Sequence, residues 1–163
     1  MPESVFIETT IPSYYVAKRS RDIVQAARQE LTLEWWDHHR LNYELLTSQV
    51  VLDEAGRGDA GMATLRLLML EDLPLLVINE PVAYLAEQLI QGSVLPQKAV
   101  GDAFHIACAA VHRVDFILTW NCTHIANPHN WHRIRDCLAR HKVEMPVICT
   151  PEEFIGDNYE NRN

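Results

Sequence analysis

Short apolar runs alternate along this chain with longer segments that carry apolar side chains at helical spacing. Each run is bounded by turn residues and is too short for a core helix, so we interpret the runs as buried strands. The predicted strands are residues 5–7, 47–52, 74–78, 115–119 and 146–149. The predicted helices are residues 22–46, 60–70, 81–91, 96–113 and 128–142. Strands without polar alternation, separated by helices, predict a parallel sheet covered by helices on both faces.

Turn and capping residues support several of these boundaries. Asp59 stands where an N-cap is needed for the helix over 60–70, and Gly92 follows the helix over 81–91 as a stop signal. No repeat, linker or low-complexity segment interrupts the pattern. We therefore expect one α/β domain over residues 1–155, followed by a polar tail over residues 156–163.

Composition and charge narrow the function classes. The chain has 163 residues and a formal net charge of -8, which argues against a non-specific nucleic-acid coat because such proteins are basic. An enzyme acting on nucleic acid stays open, since a bound cation restores local positive potential. No apolar run approaches the roughly 20 residues that span a membrane. Four scattered cysteines and the absence of a secretory leader predict a cytoplasmic protein with reduced thiols and no membrane partner.

Polar residues follow several predicted strands at the edge where α/β proteins place their chemistry, since parallel strands all end on the same side. Asp102 lies early in the helix that leads into the fourth strand, so its carboxylate can reach the same edge. Carboxylate and amide oxygens converging there would suit Mg²⁺ or Mn²⁺. The alternative is that each acid is a helix cap or a turn residue. The candidates are Glu8, Asp53, Glu54, Asp102, Thr119 and Asn121.

Three neighbours of these acids are candidate supporting residues. Thr9 and Thr119 could donate hydrogen bonds to the acids; the alternatives are an N-cap for Thr9 and an exposed strand end for Thr119. His105 falls three residues after Asp102 on the same helix face, where it could orient that carboxylate. The alternative is a partly buried histidine of the core.

Two further groups of residues, one aromatic and one basic, each allow two interpretations. Trp35 and Trp36 could form a partner surface, or one could pack inward with the other half covered. The basic residues of 18–21 could contact RNA phosphates or lie in a solvated loop. The following cysteines and histidines do not have the spacing of a recognised zinc site: Cys122, His124, His129, His132 and Cys137.

The motifs that contain the acids resemble those of PIN domains, and more narrowly of VapC-type toxin ribonucleases from bacterial toxin–antitoxin pairs. The resemblance runs from Val5 to about Phe154. The matching segments are Glu8-Thr9-Thr10, Glu54, Asp102-Ala103-Phe104-His105-Ile106-Ala107 and Thr119-Trp120-Asn121.

The resemblance implies a PIN-like single domain with a central parallel sheet of about five strands. It implies a metal-dependent endoribonuclease that hydrolyses RNA phosphodiester bonds, with RNA, a cognate antitoxin protein and a second copy of the chain as partners. Mg²⁺ or Mn²⁺ would be held by Glu8, Glu54 and Asp102. The implied catalytic positions are Glu8, Glu54, Asp102 and Asn121, supported by Thr9, Thr119 and His105.

Two positions depart from the family pattern. Glu8 and Asn121 each stand where the family usually has Asp, so the first acid is one methylene longer and the fourth position is neutral. A weaker second metal position is one consequence, and loss of catalysis is the other. The alternative function is therefore a catalytically weak PIN-like module that binds RNA or protein. An α/β phosphotransferase is disfavoured, because the first strand ends in Glu8-Thr9-Thr10 rather than in a D-x-D motif.

Overall fold

Within residues 1–156, five parallel strands form one sheet. A computed structural model describes these residues, and the predicted polar tail lies outside them apart from Gly156. The strands are β1 (Ser4–Ile7), β2 (Glu44–Ser48), β3 (Leu75–Leu76), β4 (Phe116–Leu118) and β5 (Val147–Cys149). Their order across the sheet is β3–β2–β1–β4–β5, and each pair of neighbouring strands is parallel.

Helices connect successive strands and flank the sheet. In the described part of the chain they are α1 (Thr10–Val16), α2 (Ile23–His38), α3 (Gln49–Ala55), α4 (Ala60–Leu70), α5 (Glu80–Gln91), α6 (Val100–Val111), α7 (Pro128–Arg140) and α8 (Pro151–Phe154), with 3₁₀ turns at Arg40–Asn42 and Gln97–Ala99. Helix α5 packs against α6 and α7, while α2 packs against α1 and α8. The expected α/β class with a five-stranded parallel sheet is confirmed.

The region around β2 differs from the sequence prediction. The helix predicted over 22–46 ends at His38, and β2 lies over Glu44–Ser48 rather than over 47–52. Leu45 and Leu46 are strand residues paired with β1. The apolar run that follows belongs to α3, because a short apolar run fits a buried helix face as well as a strand. Glu54 therefore lies on a helix and not directly after a strand.

Two buried tryptophans correct another expectation. Trp35 and Trp36 have exposed fractions of 0% and 5%, so neither offers a partner surface. Trp35 stacks on Tyr43 and meets Phe154 edge to face. These ring contacts join α2 to α8, so the pair contributes to the core.

The order of the strands defines where a site can form. Strand β1 lies at the centre, paired with β2 on one side and with β4 on the other. The chain passes from β1 outward to β2 and β3, and then returns to the other side of β1 to form β4 and β5. This reversal places a crevice between β1 and β4, beyond their carboxyl ends. At the opposite end, Asp115 Oδ2 accepts hydrogen bonds from Ser4 N at 2.8 Å and Ser4 Oγ at 2.9 Å, which ties the starts of β1 and β4 together.

Within residues 1–156, three helices end in a left-handed residue that is not glycine. Ser93, Arg113 and Lys142 follow the ends of α5, α6 and α7 with φ of 55°, 56° and 59°. The next residue in each case is a valine whose N–H bonds back to the last helical turn, as in a Schellman motif. Arg113 and Lys142 therefore adopt a backbone conformation that is unfavourable for residues with a Cβ.

No helix within residues 1–156 is both long and apolar enough to cross a membrane.

Candidate metal centre

Glu8 directly follows β1, and its side chain is only 2% exposed. One oxygen, Oε2, accepts hydrogen bonds from Thr10 N at 3.0 Å, from Thr10 Oγ1 and from Thr119 Oγ1 at 2.7 Å. The other oxygen, Oε1, accepts none from residues 1–156. Residues at the ends of β1 and β4 thus fix one oxygen of the carboxylate and leave the other for a ligand.

Burial sets the electrostatics of Glu8. Removal from water raises the pKa of its carboxyl, and this outweighs the charge of His105 and the hydrogen bonds from Thr10 and Thr119, which lower it. The net pKa is above the ordinary value for glutamate. The surrounding groups therefore do not fully offset the cost of burying the Glu8 charge, and a nearby cation would stabilise the ionised carboxylate.

His105, on α6, is fully buried beside three carboxylates. Its Nε2 lies 2.5 Å from Glu54 Oε1. Among the described residues neither ring nitrogen has a well-aligned hydrogen bond. Burial lowers the pKa of His105, but the contact with Glu54 and the charges of Glu8 and Asp102 raise it by more, so the net pKa is above the ordinary value.

A potential ligand set lies at this edge of the sheet. One ligand atom from each of Glu8, Asp102 and His105 lies within 4.8 Å of the other two. Glu54 does not belong to this group and adjoins it through His105. The assignment of Glu8, Glu54 and Asp102 as the metal ligands stays a prediction.

Glu54, on α3, is positioned by Thr9, which precedes α1, and by residues of α6. Its Oε1 accepts a hydrogen bond from Thr9 Oγ1 at 3.0 Å, so Thr9 contacts an acid and makes no side-chain N-cap bond. A Cβ added at Gly101 would lie 3.4 Å from Glu54 Oε2, so α6 passes close to this carboxylate. Partial burial raises the pKa of Glu54, but His105 and Thr9 lower it by more, leaving it below the usual value.

Asp53, the candidate acid next to Glu54, lies apart from this arrangement. Its side chain is exposed, and its Oδ1 accepts a hydrogen bond from Gln49 Nε2 at 2.9 Å. The bond joins positions i and i+4 on the surface of α3.

Asp102 is held by His124, one of the histidines whose spacing does not match a zinc site. Asp102 Oδ2 lies 2.8 Å from Nδ1 of His124. The predicted hydrogen bond from His105 to Asp102 is absent from the described contacts, since the His105 ring meets Glu54 instead. The sequence carries a weak signal for His124, because Asn121 three residues earlier can cap the turn between them.

Asn121 lies beyond β4, where the fourth acid was expected, but its side chain has a local role. Asn121 Oδ1 accepts a hydrogen bond from His124 N at 3.1 Å. Asn121 N donates to Thr119 Oγ1 at 2.9 Å. Thr119 is fully buried, so its interpretation as an exposed strand end is wrong, and its hydroxyl links Asn121 to Glu8.

Trp120 anchors the same segment to the helical layer. Its indole N–H donates to Thr32 Oγ1 at 2.8 Å, and its ring contacts Tyr14 and the guanidinium of Arg28. Its backbone N–H donates to Thr10 Oγ1 at 2.8 Å. The Thr119-Trp120-Asn121 motif therefore connects β4, α1 and α2 around the acids.

The cysteines differ sharply in their surroundings. Cys122, next to Asn121, is exposed and its Sγ lies 3.8 Å from Arg28 Nη2. Cys108, Cys137 and Cys149 are buried. Burial raises the pKa of the Cys108 thiol to about 11 and raises that of Cys149 as well.

A cavity of about 460 Å³ adjoins the acids. Glu54 and Asp102 line it together with two basic residues, Arg57 and Lys98. Acids and cations along one opening form a surface that can take a metal ion and an anionic group side by side.

The residues present fit a divalent cation. Two carboxylates and a buried histidine without an aligned hydrogen bond form one close group. Carboxylate oxygens suit Mg²⁺ and Mn²⁺, whereas an imidazole nitrogen favours a transition metal. The donor set therefore matches Mn²⁺ better than Mg²⁺ if His105 takes part.

The chain shares its fold with proteins of two solved complexes. The crystal structure of VapBC2 from Rickettsia felis, bound to a DNA fragment from their promoter, matches with a TM-score of 0.52 and 13% identity, covering 90% of this chain and 98% of that chain. The structure of FitAB bound to an IR36 DNA fragment matches with a TM-score of 0.55 and 15% identity, covering 90% of this chain and 94% of that chain. No family model and no curated protein matches the sequence. At these identities the likeness shows the fold alone, and it supports the PIN-like, VapC-like fold expected from the motifs.

Proposed function

We propose that this chain is a divalent-metal-dependent endoribonuclease and the toxin of a toxin–antitoxin pair. The observation that carries the proposal is the close group of Glu8, Asp102 and His105 at the crevice between β1 and β4. This is the place where α/β sheets bind ligands, and the fold is shared with VapBC2 and FitAB.

Glu8 and Asp102, which belong to this group, and Glu54, which adjoins it through His105, would hold the ion. When bound, Mg²⁺ or Mn²⁺ lowers the pKa of a coordinated water and stabilises the charge on a phosphoryl group. Thr10 and Thr119 keep one oxygen of Glu8 fixed, so the side chain needs little reorganisation to use the other. His105, 2.5 Å from Glu54, would when protonated offset part of the negative charge that the three acids concentrate before the ion binds.

The cavity beside the acids is where the RNA substrate would reach them. Arg57 and Lys98 line the same opening as Glu54 and Asp102, so they could contact RNA phosphates next to the reacting one. The predicted phosphate contacts from residues 18–21 remain a proposal, and within that segment Arg19 pairs with Glu30 at 3.0 Å.

The decisive experiment compares two matched asparagine variants. Asp102→Asn removes a carboxylate of the cluster, whereas Asp53→Asn removes an exposed carboxylate next to Glu54 that accepts a hydrogen bond from Gln49 on the surface of α3. We expect Asp102→Asn to abolish Mn²⁺-dependent cleavage of a labelled RNA, and Asp53→Asn to cleave like the unaltered chain. Circular dichroism checks that both variants are folded. Unchanged cleavage by Asp102→Asn would refute the proposed function.

The partners expected from the resemblance belong to the same proposal. These are an antitoxin protein, RNA and a second copy of the chain, acting in the cytoplasm. A small upstream reading frame encoding a DNA-binding protein would support the antitoxin, and light scattering at several concentrations tests the homodimer.

A catalytically weak PIN-like binding module is the second candidate. It is favoured by Asn121, whose side-chain oxygen accepts from His124 N and adds no charge to the cluster. Calorimetry separates the two functions. Binding of RNA without binding of Mn²⁺ would favour the module, whereas Mn²⁺ binding together with cleavage favours the nuclease.

A further inference from the structure

The turn after β4 brings one side chain directly onto the acid cluster. His124 Nδ1 lies 2.8 Å from Asp102 Oδ2, and the two side chains are 20% and 16% exposed. A largely buried carboxylate at hydrogen-bond distance from an imidazole has a fixed orientation, because rotation would cost it that partner.

The turn itself is closed by Asn121. Asn121 Oδ1 accepts from His124 N at 3.1 Å, and the Asn121 backbone carbonyl accepts from Ile125 N at 3.2 Å and from Ala126 N at 2.7 Å. Both the side chain and the backbone of Asn121 therefore cap the segment that carries His124. The side-chain oxygen of Asn121 is therefore already engaged in a hydrogen bond.

The far side of the turn is anchored in the core. Ile125 is fully buried, and its carbonyl accepts a hydrogen bond from Trp131 Nε1 at 3.0 Å. His124 thus lies between a capped start and a buried anchor, so its ring has little freedom to leave Asp102.

We propose that His124 is a positioning residue of the metal centre, which holds Asp102 Oδ2 and so presents the other oxygen, Oδ1, to the ion. Asn121 acts through His124 by closing the turn, and not as a ligand. The inference rests on the proposed function for what the ion does, while the pairing of His124 with Asp102 exists without the ion. A hydrogen-bond partner of a ligating carboxylate fixes its orientation, and removing such a partner weakens metal affinity about 10–100-fold.

The first test measures Mn²⁺ affinity by calorimetry. We expect His124→Ala to raise the Kd about 10–100-fold. His124→Asn, which keeps an N–H near the position of Nδ1, should recover most of the affinity. His129→Ala, the same substitution at an exposed histidine of α7, is the control and should bind like the unaltered chain. A Kd in His124→Ala equal to that of the unaltered chain would overturn the proposal.

The second test asks whether Asn121 acts through His124. Asn121→Ala should weaken Mn²⁺ binding, and the double variant Asn121→Ala/His124→Ala should bind no more weakly than His124→Ala alone, because both changes remove the same contact. Additive losses of Mn²⁺ affinity would show that Asn121 contributes independently of His124, and would overturn the proposal that Asn121 acts through His124. In RNA cleavage, excess Mn²⁺ should restore His124→Ala but not Asp102→Asn.

The third test needs no metal. In nitrogen-15 NMR of the metal-free protein we expect a proton on Nδ1 of His124, since that nitrogen faces a carboxylate oxygen. An unprotonated Nδ1 would overturn the pairing. If the unaltered chain binds no Mn²⁺, the nuclease proposal fails, and the position of this proton still decides the pairing of His124 with Asp102.

Discussion

Trp120 donates its indole N–H to Thr32 Oγ1 through a buried hydrogen bond of 2.8 Å. The bond links the segment after β4 to α2, so it supports the side of the site that carries Asn121 and His124. Removing either the donor or the acceptor of this bond should therefore lower the free energy of unfolding by a measurable amount.

Thr32→Val should lower the free energy of unfolding by about 1–3 kcal/mol, because it leaves the indole N–H buried without an acceptor. The volume of the side chain is nearly conserved, so cavity formation contributes little. Urea denaturation of Thr32→Val, Trp120→Phe and the double variant gives the coupling energy of the pair. We expect a coupling of about 0.5–3 kcal/mol, and additive losses would contradict the role of this bond.

Arg113→Gly and Lys142→Gly should each stabilise the protein by about 0.5–1 kcal/mol. Both residues have a positive φ, which costs a side-chain-bearing residue roughly 1–2 kcal/mol and glycine very little. Arg135→Gly, inside α7, is the control and should instead destabilise by about 1 kcal/mol. A loss of stability in the first two variants would argue against the left-handed helix ends.

Asp115 should make stability depend on pH at the acidic end. Hydrogen bonds from Ser4 hold the pKa of its carboxyl below the usual value. A carboxyl with a lowered native pKa contributes stability above its unfolded pKa and loses it as pH falls through the native one. Asp115→Asn should therefore be less stable than the unaltered chain at pH 7, and the difference should disappear in acid. Asp72→Asn, at an exposed acid, is the control for the change of charge.

Glu8→Gln should stabilise the metal-free protein at pH 7. Burial raises the pKa of Glu8, so its ionised form costs folding energy once the pH exceeds the ordinary value of 4.5. The amide can still accept from Thr10 and Thr119 without carrying the charge. Thermal denaturation should show a higher Tm for the variant at pH 7 and no gain near pH 4. Added Mn²⁺ should raise the Tm of the unaltered chain and leave that of Glu8→Gln unchanged; an equal rise in both would contradict a ligand role for Glu8.

The sequence was enough to place Glu8 and Asp102 near one another, because strand ends in a parallel sheet share an edge. It did not locate Glu54 correctly, since the apolar run before it fits a strand and a buried helix equally well. The contact of Glu54 with His105 depends on that helix, so pattern analysis could not reveal it.

The roles around Asn121 were hidden for a different reason. The PIN-like pattern has Asp where this chain has Asn121, so the pattern points to that position and not to the residues around it. The structure shows that its amide closes a turn and that His124, outside the segments that resemble PIN-domain motifs, contacts Asp102. Such a pairing depends on tertiary geometry and leaves only a weak trace in residue spacing.

The exposure of Cys122 beside this turn has a practical consequence. Because Cys108, Cys137 and Cys149 are buried, a thiol-reactive fluorophore or spin label should attach to the native chain at one place, two residues from His124. Binding of an ion or a nucleic acid next to this turn could then be observed as a change in probe mobility, without first building a cysteine-free background.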